Sequence, residues 1–270
     1  MNYELDLNER PDEGIKRIIL ERVDYVGDLM VNPWPTREKA VHDARKSFKR
    51  IRAALRLVRD ETGDEWYRRE NIFYRDSSRI LAPVRDSTVL VLALDAITEE
   101  YAGTVTPETF ASIRRKLVER HEKIVHELLD DQDVMAIVAQ RMEGARERIL
   151  QMPISGSEFA IFAGGLNRVY GCGREAMKKA YADPEIAAKF HEWRKRVKYL
   201  WHHVEILGQV WPAVMLDLAR ELHLASDFLG DAHDNVALAE TILAEPQRFA
   251  DEPNLPTLLA LGHRRRRDLE

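Results

Sequence analysis

Apolar residues recur at intervals of three and four along nearly the whole chain, whereas the strict alternation typical of β-strands is scarce. Proline and glycine divide this pattern into segments, most clearly at Pro153 and Gly156, where we expect the boundary between two halves. The sequence therefore predicts an all-α protein. The predicted helices cover residues 13–30, 37–61, 64–80, 84–101, 107–129, 132–150, 157–182, 185–207, 212–229, 233–244 and 255–267.

One predicted helix combines a continuous apolar seam with a row of positive charge. From Arg37 to Arg59 there are nine Lys or Arg residues and two acids, although the whole chain has a formal net charge of −5. Like charges one turn apart repel each other, and either acidic helices of the same fold or a bound anion would relieve the repulsion. The seam consists of Val41, Ala44, Phe48, Ile51, Leu55 and Val58, and the row beside it begins with His42, Arg45, Lys46 and Lys49 and continues through Arg52, Arg56 and Arg59.

The basic row occurs twice. A shift of 149 residues places it on a second row that consists of His191, Arg194, Lys195 and Lys198. Downstream, LAPVRDSTVL (81–90) resembles LGDAHDNVAL (229–238) at a shift of 148, with Asp86 matched to Asp234. Two matched blocks in the same order indicate a duplicated unit of about 130 residues. We therefore expect two helical-bundle halves, 1–150 and 151–270, related by a pseudo-twofold axis, with the two rows lining opposite sides of one basic cleft.

The residue types of the rows favour a phosphate-rich ligand. Arginine offers a planar fork to two oxygens and lysine a compact charge, and a row that repeats every turn, about 5.4 Å, suits a long polyanion. Aromatic platforms for stacking bases are not interleaved with the first row, which disfavours single-stranded nucleic acid. Duplex DNA usually meets a convex, exposed helix, so nucleic acid is an unlikely partner and is kept as an alternative.

Two histidines and two aspartates recur in the repeat. His42 and His191 could contact phosphate or serve as packed, structural residues; a metal site is disfavoured because Arg and Lys surround both, and none is predicted. Asp86 and Asp234 could act as general bases. We favour a structural role for them instead, either as helix caps or in ion pairs that position a row arginine. Phosphate-cradling GxxxxGK[ST] and metalloprotease HExxH motifs do not occur. We therefore predict a non-enzymatic protein without a catalytic residue or cofactor.

The composition limits where the protein acts. The single cysteine, Cys172, cannot form an internal disulfide, which favours a reducing cytoplasm. No apolar run approaches the roughly 20 residues of a membrane span. The N-terminus lacks the features of a signal peptide.

Five stretches, in order, resemble the CHAD family, the conserved histidine α-helical domain, over residues 10–268: VHDARKSFKRIRAALRL, LAPVRDSTVL, GGLNRVYGCGREAMKKA, FHEWRKRVKYLWHHVEIL and LGDAHDNVAL. The resemblance implies a fold of two helical-bundle halves around a pseudo-twofold axis, with a basic central cleft or pore. It also implies binding of inorganic polyphosphate and association with polyphosphate granules. The chain is similar to a stand-alone member, without a fused triphosphate-tunnel hydrolase; an accessory role beside a phosphoanhydride-hydrolysing enzyme is a further alternative.

The second half departs from the first. Trp201 takes the place of Arg52, and His233 takes that of Arg85, so we expect weaker binding by the second half. Near the rows lie further basic positions, three of which (Arg79, Arg168 and Arg174) match family positions that are usually basic. The predicted polyphosphate ligands are His42, Arg45, Lys46, Lys49, Arg52, Arg56, Arg79, Arg85, Arg168, Arg174, Lys178, His191, Arg194, Lys195, Lys198 and His202.

Overall fold

The computed structural model describes residues 3–270, and these residues are helical almost throughout and contain no strand, as the sequence predicts. Short 3-10 turns lie at Pro107–Phe110 and Phe159–Phe162, and a π-helical segment spans His126–Asp131. The α-helices are α1 (Pro11–Val31), α2 (Arg37–Leu57), α3 (Arg59–Thr62), α4 (Asp64–Ile80), α5 (Ala82–Glu100), α6 (Ala111–Val125), α7 (Val134–Leu150), α8 (Ala163–Ala182), α9 (Ala187–Ile206), α10 (Pro212–Ala244), α11 (Pro246–Phe249) and α12 (Leu255–Leu269).

Local chemistry explains where the key helices begin and end. The Thr36 side chain accepts a hydrogen bond from the backbone amide of Lys39 at 3.2 Å and caps α2. Pro83 lies in the first turn of α5, where its missing amide hydrogen costs nothing; inside a longer helix the same ring would clash with the preceding turn. The chain therefore breaks between α4 and α5 at Leu81.

The prediction of two helices at 212–229 and 233–244 is wrong, because α10 runs unbroken through this region. At a shift of 148 residues, α10 corresponds to α4 and α5 together, and Asp231 takes the place of Pro83. Without the proline, nothing interrupts the backbone hydrogen bonds. Smaller corrections concern 37–61, which divides at Val58, and 107–129, which begins as a 3-10 turn and ends in the π-helical segment.

Three apolar clusters hold the helices together. The largest joins α1, α2, α4 and α7 and includes the predicted seam of α2, of which Val41, Phe48 and Leu55 are fully buried. A second cluster joins α5, α6, α10 and α12, and a small third one joins α8, α9 and α10. Burial of these side chains is the main stabilising contribution.

Helix α2 occupies the centre of the fold. It packs against α1, α4, α5, α8 and α9. Its approach to α8 is close, because a β-carbon at Gly165 would collide with the carbonyl oxygen of Leu57. The basic row of α2 therefore lies among other helices. The pseudo-twofold relation between the halves 1–150 and 151–270, and a central cleft, stay predictions.

Within residues 3–270, no helix has the length and apolar character that crossing a bilayer requires.

Candidate anion-binding site

The two helices that carry the basic rows lie against each other. Helix α9 packs on α2. The buried ring of His203 donates a hydrogen bond from Nε2 to the carbonyl oxygen of Ala53 at 2.9 Å, which ties the middle of α9 to the second half of α2. Burial lowers the pKa of His203 to about 3, so the ring stays neutral and this hydrogen bond is a structural one.

Arg45 is positioned by two contacts outside its own helix. Its Nη2 lies 3.2 Å from Oδ1 of Asp86 on α5, and its Nη1 donates to the carbonyl oxygen of Ser78 at 3.0 Å. The prediction that Asp86 pairs with a row arginine is confirmed. The buried Nε of Arg45 finds no acceptor in the described part of the chain. One donor of a rigidly held guanidinium is therefore left for another acceptor.

Arg194 on α9 shares part of this arrangement. Burial lowers its pKa, and the carboxylate that opposes this lowering most strongly is Asp234, the counterpart of Asp86. Its Nε is also buried and, within residues 3–270, has no acceptor. The guanidinium lies against Gly230 of α10, where an added β-carbon would approach Nη2 to 3.3 Å. Each of the two repeat-related arginines thus has a carboxylate nearby and a buried N–H donor without an acceptor.

Lysines from the two rows lie near these arginines. Lys49 retains an exposed surface, although its ammonium group is largely desolvated by the surrounding protein. This desolvation, with repulsion from Lys198, Arg45 and Arg194, lowers the pKa of Lys49 to about 7. Desolvation and Arg194 likewise lower the pKa of Lys198 to about 8. We call Arg45, Lys49, Arg194 and Lys198 the basic cluster. It concentrates positive charge from both repeats at one place.

The histidines that head the rows have repeat-related neighbours as well. Burial lowers the pKa of His42 to about 4, and nearby Arg85 adds to the effect. The ring of His191 lies against that of His233, tilted by 41° with 4.0 Å between the centroids. Burial, followed by repulsion from Lys195 and Arg194, lowers the pKa of His191. Because both rings are neutral near pH 7, they can act there as hydrogen-bond partners and add no charge.

Beyond the cluster, the α2 row continues toward α4. Arg52 donates from Nε to Oδ1 of Asn71 at 3.0 Å. The guanidinium of Arg56 lies 3.9 Å from the ring centroid of Tyr199 on α9. Burial, together with these aromatic and amide contacts, holds both arginines in fixed positions along one side of α2.

The corresponding part of the second half is different in character. Trp201 stacks on His202 at 4.7 Å, and Glu205 stands where the first half has Arg56. The side chain of His202 is only 3% exposed and donates from Nδ1 to Oε2 of Glu205 at 2.8 Å. The structure therefore contradicts the choice of His202 as a ligand. The corresponding residue in the first half is Ala53, which is apolar and buried. This alanine could have indicated that the position faces the interior.

The remaining predicted ligands lie around the cluster or away from it. Lys46 is exposed, and its charge contributes to the lowered pKa of Lys198. Lys195 pairs with Glu192 of its own helix at 2.5 Å. Arg168 pairs with Asp60, and Arg79 pairs with Asp76 at 3.4 Å. Arg174 and Lys178 project from the exposed side of α8, where Arg174 lies over Tyr170 and Lys178 pairs with Glu175. The structure thus places these last two outside the basic cluster.

Sequence reasoning missed the contribution of Tyr199, Asn71 and Gly230. Tyr199 and Asn71 orient row arginines from other helices, and no local pattern marks them. Gly230 could have been noticed, because a glycine in a long helix is costly unless something needs the space.

Comparison with known proteins agrees with this architecture. Residues 32–243 match the family model of the CHAD domain. The crystal structure of the CHAD domain from the plant Ricinus communis aligns with a TM-score of 0.71 at 15% sequence identity, covering 98% of this chain and 91% of that chain. At this identity the likeness establishes the fold alone. No curated protein matches the chain.

Proposed function

The chain belongs to the CHAD domain family, and we propose that it binds inorganic polyphosphate, without chemical turnover, at the basic cluster and along the two rows. The observation that carries the proposal is the convergence of positive charge at Lys49. Desolvation and repulsion from Lys198, Arg45 and Arg194 lower the pKa of Lys49, and desolvation and Arg194 lower that of Lys198. Holding these positive groups together costs free energy, and a bound polyanion would remove the cost.

The hydrogen-bonding state of the cluster supports the same ligand. Arg45 and Arg194 each have a buried Nε without an acceptor among residues 3–270. A buried donor without a partner costs about 1–3 kcal/mol. Phosphate oxygens would accept from both arginines while neutralising the lysines, and a polymer would extend the contact along the rest of the α2 row.

Titration calorimetry with tripolyphosphate and with long-chain polyphosphate would test the proposal. We expect the affinity to rise with chain length and to fall steeply with salt, because binding releases counterions, as it does for nucleic acids. Replacement of Lys49 and Lys198 with alanine should weaken binding by about tenfold or more, since two charge-assisted contacts are lost.

A double variant that removes the same charge elsewhere is the matched control. Lys16→Ala with Lys123→Ala, on α1 and α6, should retain the affinity. Equal binding by the two double variants would contradict the proposed site. Displacement of long polyphosphate by RNA or duplex DNA at equal phosphate concentration would favour a nucleic-acid-binding function. Release of phosphate in the presence of Mg²⁺ would instead point to an enzyme.

We also propose that the protein associates with polyphosphate granules in the cytoplasm. Binding along the rows leaves most of a long polymer free to contact other protein molecules, so the protein would accumulate where the polymer does. A fluorescent fusion should colocalise with a polyphosphate stain, and the fusion with Lys49 and Lys198 replaced should be diffuse. Colocalisation of both fusions would contradict recruitment through the basic cluster.

A further inference from the structure

An apolar stripe on the first half of α10 lies exposed. Its residues follow one another at intervals of 4, 3, 4 and 3, which is the spacing with which one helix packs on another. The large members are between 39% and 48% exposed. Monomeric proteins rarely leave such contiguous apolar surface uncovered. The stripe consists of Val214, Leu218, Ala225 and Phe228, and the charged Glu221 occupies the middle position of the spacing.

The internal repeat shows what covers the equivalent stripe in the first half. At a shift of 148, Leu218, Glu221 and Ala225 correspond to Glu70, Phe73 and Ser77 of α4. There, helix α7 lies over the stripe. Its Arg148 pairs with Glu70 at 3.2 Å and lies 4.0 Å from the ring centroid of Phe73, and its Arg141 donates to Ser77 at 2.8 Å. Glu70 and Ser77 are fully buried as a result.

The outer face of α8 is exposed in the same way. Tyr170, Met177 and Tyr181 form an exposed stripe on α8, and the Tyr181 end of this stripe borders the contact with α9. GIKR (14–17) of α1 resembles GLNR (165–168) of α8 at a shift of 151, which places Tyr170 and Met177 on Ile19 and Val26, both fully buried. Helix α1 is the other helix against which α7 packs. Both helices that α7 covers in the first half therefore have uncovered counterparts in the second.

The two stripes form the walls of one groove. The Tyr181 ring lies 5.5 Å from that of Trp193 on α9, centroid to centroid, and Trp193 also packs on the cluster that includes Ala225 of α10. Trp193 thus forms the floor between α8 and α10. Its counterpart at a shift of 149 is Ala44, which is fully buried.

The charges on the two walls are of opposite sign. Arg174 and Lys178 lie beside the apolar stripe of α8, whereas Asp217 and Glu221 lie on the exposed side of α10. Lys178 pairs with Glu175 and Asp217 pairs with Arg220, each within its own helix. The charges left for a partner are therefore Arg174 and Glu221, which form no ion pair within residues 3–270. A face that carries a basic apolar wall and an acidic apolar wall is complementary to a copy of itself turned through a twofold axis.

We propose that a second copy of this chain covers the groove, with α8 of each protomer packed on α10 of the other. Arg174 would then meet Glu221 of the partner subunit, as Arg148 of α7 meets Glu70 in the first half. Pairing of α10 with its own copy is disfavoured, because the two Glu221 side chains at the middle of the stripe would oppose each other. The alternative occupant, a basic amphipathic helix of another protein, would leave the isolated chain monomeric.

Sedimentation velocity of the full chain over a range of concentrations tests the proposal. We expect a monomer–dimer equilibrium whose dissociation constant rises about tenfold or more in Leu218→Glu, because a charge would be buried in the interface. Leu243→Glu is the matched control, since it places the same charge on an exposed leucine at the other end of α10. This variant should dimerise as the native chain does.

A charge exchange tests the predicted pairing itself. Arg174→Glu and Glu221→Arg should each weaken the dimer, and the double variant should recover it at least in part. A chain that stays monomeric at all concentrations, or a dimer that Leu218→Glu leaves intact, would overturn the proposal. The outcome is independent of the proposed ligand, because Leu218 lies outside the rows and its substitution should leave polyphosphate affinity unchanged.

Discussion

Arg45 on α2 and Asp86 on α5 form an ion pair with 3.2 Å between Nη2 and Oδ1, and the same pair of residue types recurs at Arg194 and Asp234. In each half, a carboxylate from a neighbouring helix lies near an arginine whose Nε has no acceptor within the described residues. In the first half the acid contacts the guanidinium and fixes it while offsetting part of its charge. In the second half Asp234 acts on Arg194 only through its charge.

Asp86→Asn should strengthen polyphosphate binding about twofold to threefold at low salt. The substitution removes a negative charge beside Arg45, and the Ser78 carbonyl still holds the guanidinium. Because Asp86 is 66% exposed, the ion pair contributes about 1 kcal/mol or less to stability, so the free energy of unfolding should change little. Titration calorimetry and urea unfolding check the two effects. Loss of affinity would mean that orientation of Arg45 outweighs the gain in charge.

Polyphosphate affinity should decrease as the pH rises from about 6 to about 9. The pKa values of Lys49 and Lys198 in the free protein are lowered to about 7 and about 8, so both lose their charge across this range. A polyanion binds the protonated forms better and therefore raises both pKa values on binding.

Proton uptake is the direct measure of this coupling. Calorimetry near pH 8 in buffers of different ionisation enthalpy should show protons taken up by the complex, and the variant with both lysines replaced by alanine should show much less. An affinity that is flat over this pH range would contradict the assignment.

How far the sequence predicts the structure depends on how local each feature is. The seam of α2 and the Asp86 pair follow from periodicity and from the repeat, and both are confirmed. The prediction of a break in α10 is wrong. The corresponding break in the first half is caused locally by Pro83, and the second half has no proline at that position. The burial of His202 depends on its hydrogen bond to Glu205 and on its contact with Tyr3 from the N-terminal segment, which no local pattern reveals.

Lys49→Met should stabilise the ligand-free protein by up to about 1 kcal/mol near pH 6. The pKa of Lys49 is lowered from 10.5 to about 7 in the folded state, so the unfolded chain binds more protons between these values. The charged lysine therefore opposes folding most below pH 7, and the opposition fades as the pH rises toward 10.5.

Urea unfolding at pH 6 and pH 10 would measure this difference. Lys123→Met on α6 serves as the control and should change the stability little at either pH. A Lys49→Met protein that is less stable than the native one at pH 6 would show that the lysine stem contributes more packing than its charge costs.

Arg52→Ala combined with Arg56→Ala should weaken binding of long polyphosphate about tenfold while affecting tripolyphosphate much less. The two arginines extend the positive surface beyond the basic cluster, where only a longer chain can reach. In the second half the corresponding residues are Trp201 and Glu205, so no equivalent extension exists there. Arg114→Ala on α6 is a control for charge. An equal loss for both ligand lengths would place the arginines within the central site.

Gly230→Ala should separate stability from binding. An alanine inside α10 gains up to about 1 kcal/mol of helix propensity over glycine. Its β-carbon, however, would lie 3.3 Å from Nη2 and 3.4 Å from Nε of Arg194, closer than ordinary contact, and the flexible arginine is the group that can move. We therefore expect unchanged or higher thermal stability and a severalfold loss of polyphosphate affinity.

Gly144→Ala in α7 offers a comparison, because its nearest neighbour is the guanidinium of Arg148, outside the basic cluster. If Gly230→Ala binds as tightly as the native protein, Arg194 does not need its present position to hold the ligand.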